Sequence, residues 1–307
     1  MNPAYSVILF TTASGAGYGL LALCGLVGFN HGPVSVAAFG ITAIIMALGL
    51  ISVGLLSSTF HLGHPERAWR AFSQWRSSWL SREGIASVAT YVPAILFAAV
   101  WTDIVNAPQL IAPLGIITAA MCAVTVFCTA KIYSSLTTIR AWNHALTVPV
   151  YLAFALATGG ALLAAIATAF GRFQIFQVIL AVAAVILVAA LKYFYWRQID
   201  NAPRTHTMAD ATGLGQGVRQ WELAHTSENF IMKEMGFAVA RKHAQKLRNT
   251  VFLLLLVSLA SLAACLISPW FSIIAAPLLL LAAVFERWLF FAEAQHVVSL
   301  YYGAEKA

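Results

Sequence analysis

Charge is the first thing this sequence lacks. Up to Pro65 it contains no Asp, Glu, Lys or Arg, and only 9% of the whole chain is charged. Hydrophobic residues make up 61%, and the mean hydropathy is +0.81. A water-soluble domain must cover its exterior with more polar surface than this, so a soluble globular fold is excluded. Cysteine is scarce as well. Cys24, Cys122, Cys128 and Cys265 have no CxxC spacing and no neighbouring histidines. That argues against a disulfide framework or a structural metal site and leaves small apolar packing residues. No basic region precedes the first apolar run, which therefore reads as a retained helix rather than a cleaved signal. The glycine-rich "GLGQG" at 213–217 has neither a preceding strand nor a Walker lysine, so it reads as a turn and not as a nucleotide loop. No internal repeat is evident.

What is present is apolar sequence in runs of membrane-spanning length. A spanning helix takes roughly 20 mostly apolar residues, and backbone groups in lipid must bond internally. Charge-free runs predict helices near Ala4–Phe29, Val34–Phe60, Ile85–Thr102, Ile104–Ala130, Leu146–Phe170, Phe173–Tyr195, Asn249–Ile267 and Phe271–Tyr302. The run that begins at Asn249 is too long for one span, and Ser268–Pro269–Trp270 is the expected break. The fold class is all-α: a single polytopic domain over residues 1–307, built as a bundle of eight transmembrane helices with one long polar loop at about 197–248.

Eight spans place both termini and loops 2–3, 4–5 and 6–7 on one face. Fifteen of the 18 Lys and Arg residues lie in or beside those three loops; Arg172 falls on the opposite face, Arg287 sits inside the eighth span, and Lys306 ends the chain. The positive-inside bias predicts that this face is cytoplasmic. The net charge of +7 follows from the same asymmetry and implies no nucleic-acid partner. Membrane lipid is the expected surrounding.

Two polar groups interrupt the apolar sequence. The first is "HLGHPERAWRAFSQWRSSWLSREG" at 61–84, with four Arg, two Glu, two His and three Trp. His61 ends the second apolar run and Glu83 precedes the third. A histidine and a carboxylate at a membrane interface can give and take the protons of a quinone, because imidazole titrates near physiological pH. His64, Arg67, Arg70 and Arg82 are candidates to support that pair or to dock a partner; an ordinary Trp-anchored basic loop is the alternative. The second group is "FERWLFFAEAQHV". Glu286, Glu293 and His296 are spaced seven and three apart and are expected on one helical face beside Arg287. Ionisable residues at that depth face a partner or a cavity; a buried pair locking the helix is the structural alternative. No two histidines fall at mid-depth on separate spans, so no heme is expected. The stretch from Ser227 to Arg248 reads as a basic amphipathic helix with Ser227 as a candidate N-cap, suited either to lie on the membrane surface or to dock a protein.

These motifs resemble the membrane-anchor subunit family of dimethyl sulfoxide reductase and its relatives. The likeness is carried by "HLGHPERAWRAF…WLSREG", by "KIYSSLTTIRAWNH" after the fourth span, and by "FERWLFF" in the eighth, where Arg287 directly follows Glu286 instead of standing further along. The resemblance implies an eight-helix, heme-free subunit of a bacterial cytoplasmic membrane. It implies a bound quinone, ubiquinone or menaquinone, near the docking face of a ferredoxin-like iron–sulfur subunit, which leads to a molybdopterin catalytic subunit. It assigns the quinone contacts to His61 and Glu83. The long sixth loop is similar to that of anchors found beside sulfite dehydrogenases, and a reductase anchor that oxidises menaquinol is the second reading. A transporter would instead show internal repeats and broken helices, and a passive anchor would carry no quinone of its own.

Overall fold

The first helix spends its small residues on contacts with other helices. In the computed structural model, residues 3–27, 38–61, 64–203, 206–215, 217–218, 221–222, 227 and 239–302 are described, the side chains of 60, 61 and 239–242 excepted. Among the described residues, eight helices are long and apolar enough to cross a membrane: α1 (Tyr5–Val27), α2 (Ala38–Ser57), α3 (Trp79–Trp101), α4 (Ile111–Ser134), α5 (Thr147–Ala169), α6 (Ile175–Asn201), α7 (Val239–Ala264) and α8 (Phe271–Ala292). The protein is all-α, with no strand among the described residues.

The packing divides into two halves with the same neighbour pattern. In the first, α1 packs on α2 and α4, and α3 on α4; in the second, α5 packs on α6 and α8, and α7 on α8. The halves meet where α1 lies against α5. Lipid tails are as apolar as leucine, so association in a bilayer depends on close van der Waals approach. Glycine allows that approach here. A Cβ on Gly19 would strike the Ala155 backbone of α5, and one on Gly159 would strike Gly19 in return. Gly25 and Gly115 make the same contact between α1 and α4. Hydroxyls inside the bundle are satisfied locally: Thr12, Ser14, Thr158 and Thr168 each donate to the carbonyl four residues earlier.

Several boundaries differ from expectation. The α4 helix starts at Ile111 rather than Ile104, after a 3-10 turn over Pro108–Leu110, and ends at Ser134; α6 runs past Tyr195 to Asn201. The α3 helix starts at Trp79, ahead of the charges that were expected to precede it, because Ser78 accepts from the Ser81 amide as an N-cap. The α8 helix ends at Ala292 rather than Tyr302; the chain then pairs with loop 4–5 through an Ile139–His296 bridge and continues as a 3-10 turn over Val297–Tyr302. The basic turns before the seventh span are continuous with α7 from Val239 onwards; the rest of the expected helix, residues 228–238, lies outside the described residues. The break at Ser268–Pro269–Trp270 stands between α7 and α8. In the long loop, Gly213, Gly215 and Gly217 adopt φ of 71°, 89° and 84°, the turn that their sequence predicts.

Adding one methyl group at the α1–α5 crossing tests this packing. Gly19→Ala and Gly159→Ala should each destabilise the protein by ~1–3 kcal/mol through overpacking, lowering the melting temperature in detergent. Gly49→Ala, where a Cβ meets open space, serves as the control and should melt as the parent does. Equal melting of all three variants would mean that the crossing tolerates separation.

Candidate functional site

Where α2 ends, the chain tightens into a 3-10 turn, Ser58–His61, and then runs as a second 3-10 segment, Pro65–Gln74, before α3. This second segment folds back on the membrane face. Phe72 lies against Gly84, where a Cβ would come within 3.2 Å of its ring. Arg82 fixes the return, donating to the carbonyls of Trp75 (2.9 Å) and Arg76 (2.6 Å) while its guanidinium lies 4.3 Å from the Trp79 ring centre. The fold-back roofs a cavity of about 500 Å³ between α1, α2, α3 and α4. Its walls are mainly Val7, Phe10, Leu55, Leu80 and Ile132, with Glu83, Ser87 and Tyr133 among the polar groups from α3 and α4 and His64 and Arg67 on the connecting segment.

Glu83 is the chemically distinctive member. It is only 4% exposed, and its Oε1 accepts a 2.5 Å hydrogen bond from the Thr129 hydroxyl of α4. Among the described residues no cation pairs with it. A lone carboxyl group in an apolar chamber is costly to maintain, and such groups concentrate where protons are handled. The other predicted residues divide. His64 is exposed, with its Nδ1 3.0 Å from Glu66, and Arg67 also faces Glu66 at 3.6 Å. Arg70 is exposed beside Trp69 and does not line the cavity. Arg82 is a lock on the turn and not a cavity residue. The 3-10 turn carries Ser58 and Thr59 to the cavity wall, and His61 ends it; the His61 side chain lies outside the described residues.

The expectation of one continuous face over Glu286, Glu293 and His296 is not met, because α8 stops between them. Glu286 and Arg287 lie inside the bundle, 0% and 3% exposed. Glu286 receives Lys192 of α6 at 2.8 Å and Arg287 at 3.3 Å. Lys192 rests over the Tyr195 and Trp196 rings, and Arg287 stacks 3.4 Å over Tyr151. Glu293 is separate, held at 2.8 Å by Arg248, which also binds Asp200. His296 accepts from the Val298 amide through Nδ1, as His144 does from Leu146. Partial burial lowers the pKa of both imidazoles, so both serve as neutral turn elements. Charge runs alone hid Lys192 among the basic residues of loop 6–7; the signal for it was its place on α6 one turn before Trp196. Thr129 and Tyr133 gave no sequence signal except their place in "FCTAKIYSS".

Loop 4–5 ties the two polar regions together. The Trp142 indole donates to the Phe290 carbonyl of α8 at 2.8 Å, the Tyr195 hydroxyl to Ala141 at 2.8 Å, and Arg140 caps the end of α6 at Ala202 and Pro203. Tyr133, whose ring forms part of the cavity, packs edge-on against Trp142 and Phe290.

Two comparisons bear on what this arrangement serves. The family model of the DMSO reductase anchor subunit (DmsC) matches residues 1–301. The C subunit of the sulfite dehydrogenase of Allochromatium vinosum is 34% identical over 328 aligned positions, covering 98% of this chain and 99% of that protein.

The buried triad has a consequence for stability. Removing one member of a buried ion pair leaves an uncompensated charge and costs ~3–5 kcal/mol. Lys192→Met leaves Glu286 still paired with Arg287, so it should lower the thermal stability of the purified protein only moderately. Glu286→Leu should lower it further, because it leaves two cations facing each other. Near-parental melting of both variants would show that the interior is wet enough to screen them.

Proposed function

The chain belongs to the DMSO reductase anchor subunit (DmsC) family, and from that premise we propose that it exchanges electrons between an iron–sulfur partner and membrane quinone at the cavity beside Glu83. The observation that carries this reading is a buried carboxyl group, hydrogen-bonded by Thr129 at 2.5 Å, in an apolar chamber at the arginine-rich face. The chamber fits a quinone ring. Its volume of about 500 Å³ lies within the ~300–1,000 Å³ usual for small-molecule sites, which are mostly apolar with a few placed polar groups.

A quinone takes up or returns two electrons together with two protons, and the protein's task is to position the ring and handle the protons. On this reading Glu83 holds a proton at Oε1 or Oε2 and exchanges it with a ring oxygen. Thr129 fixes the carboxyl rotamer and Tyr133 closes the inner wall. His61, at the end of the turn that supplies Ser58 and Thr59, serves the second oxygen. Apolar walls exclude water and keep these hydrogen bonds strong.

The partner is proposed as a ferredoxin-like iron–sulfur protein linked to a molybdopterin catalytic subunit, with no heme in this chain. Likeness to the C subunit of a sulfite dehydrogenase favours sulfite oxidation with delivery of electrons to quinone. The family's description favours, as a second reading, a reductase fed by quinol. The positive-inside rule favours the cytoplasmic side of a bacterial inner membrane for the arginine-rich face and both termini. The 3-10 segment and the residue that follows it offer their partner exposed Arg67, Trp69, Arg70 and Trp75. Aromatic and arginine side chains are the anchors that protein interfaces favour.

Substitutions at the site test the quinone reading. Glu83→Gln and His61→Ala should assemble and keep sulfite turnover with an artificial electron acceptor, yet lose quinone-linked turnover by ~10²–10⁴-fold. Normal quinone turnover in both would move the site elsewhere. For the docking surface, Arg67→Glu combined with Arg70→Glu should release the iron–sulfur protein from membranes while the anchor stays inserted. Co-purification of the full complex with that double variant would count against this face.

A further inference from the structure

Among the described residues, four charged side chains are buried: Glu83, Lys192, Glu286 and Arg287. Two are acidic and two basic, but they are not paired two by two. Lys192 and Arg287 both face Glu286, whereas Glu83 meets only a hydroxyl. The Lys192–Glu286–Arg287 cluster therefore carries one positive charge in excess. The interior is neutral when Glu83 is a carboxylate and carries that excess when Glu83 holds a proton. Charges in a low-dielectric interior act on each other over longer distances than in water.

A small cavity borders on both Thr129 and Arg287. It has about 20 Å³ of space, room for one water molecule. Thr129, the hydrogen-bond partner of Glu83, forms part of its wall, and so does Arg287. Tyr18 and Tyr151 complete the polar lining. The wall residues Thr11, Thr12, Ser14 and Thr158 already donate to carbonyls of their own helices. By contrast, among the described residues, Tyr18 Oη and Tyr151 Oη are buried with no hydrogen-bond partner, and Arg287 Nη1 has only its 3.3 Å ion pair with Glu286. Buried polar groups in such a position bind ordered water.

We propose that Arg287 is the counter-charge of Glu83, linked to it by Thr129 and by an ordered water in this cavity. Thr129 and Arg287 are then positioning residues for the proton step, acting through Glu83. The inference rests on the quinone reading above. In the step itself the O–H bond of Glu83 breaks and an O–H bond forms on the substrate oxygen, while the iron–sulfur partner supplies the electrons. The carboxylate left behind brings the interior to neutrality by balancing the one-charge excess of the Lys192–Glu286–Arg287 cluster. Arg287 supplies fixed charge and takes no part in the proton transfer itself.

Infrared difference spectroscopy on membranes holding the assembled complex can separate this from a purely structural role. The band of the protonated Glu83 carboxyl is identified by its loss in Glu83→Gln. In Thr129→Val the band should shift, because its hydrogen-bond donor is gone, and quinone-linked turnover should fall roughly 10- to 100-fold through misplacement of the carboxyl. Turnover with the artificial acceptor should be unchanged. In Arg287→Gln the band should gain intensity at neutral pH, and Arg287→Lys should restore it. Normal quinone turnover in Glu83→Gln overturns the site, and the inference with it. Loss of turnover in Glu83→Gln with parental bands and rates in Thr129→Val and Arg287→Gln overturns the inference alone. If Arg287→Gln fails to assemble, Thr129→Val, which alters no charge, decides the outcome.

Discussion

The backbone contact between α1 and α5 is the constraint on which the rest of this structure depends. At Gly19 and Gly159 the two helices approach without an intervening side chain, so both run through the centre of the bundle and the remaining helices pack around them. From that centre α1 also reaches α4 through Gly25 and Gly115, and α5 reaches α8. Helices this close leave little room for long polar side chains. The ones that do enter, from α3, α6 and α8, must therefore find partners in small and specific places. Thr129, Tyr18, Tyr151 and Arg287 gather around a gap of one water for this reason.

The same economy explains how a chain with so few charges distributes them. Outside the bundle, arginines stack on tryptophans at the membrane face: Arg82 on Trp79, Arg76 on Trp75, Arg70 on Trp69. These pairs combine an interfacial anchor with a positive surface. Inside, each cation lies over aromatic rings and beside a carboxylate, as Lys192 does over Tyr195 and Trp196. Guanidinium and ammonium groups are tolerated in a membrane interior when rings and an anion replace their water. Glu83 departs from that pattern of pairing, and it does so at the wall of the cavity that the 61–84 segment roofs.

Two four-helix halves with one neighbour pattern carry different chemistry. In the first half the position between α3 and α4 holds Glu83 and Thr129 beside an open chamber. In the second, α6 and α8 close over Lys192, Glu286 and Arg287. Loop 4–5 crosses between them, hydrogen-bonded to α6 and α8 and resting against Tyr133. Packing geometry is thus shared between the halves, whereas the site depends on which side chains that geometry meets.

The membrane class, the eight helices and the polar segment at 61–84 were legible in the sequence, because apolar length and charge position are local properties that a bilayer selects directly. Glu83 stood out in a motif at the start of a span, but its burial and its bond to Thr129 were not readable from that motif. Helix ends were less legible: α3 begins before its charges and α8 ends before its last carboxylate, since a cap at Ser78 and a bridge to Ile139 decide those points. Residue spacing placed Glu286, Glu293 and His296 on one face, and the tertiary structure separates them into a buried triad, a rim pair and a turn. Lys192 meets Glu286 across 94 positions of sequence and Thr129 meets Glu83 across 46. Such pairings follow from which helices the glycines bring together, and no local pattern in the chain encodes them.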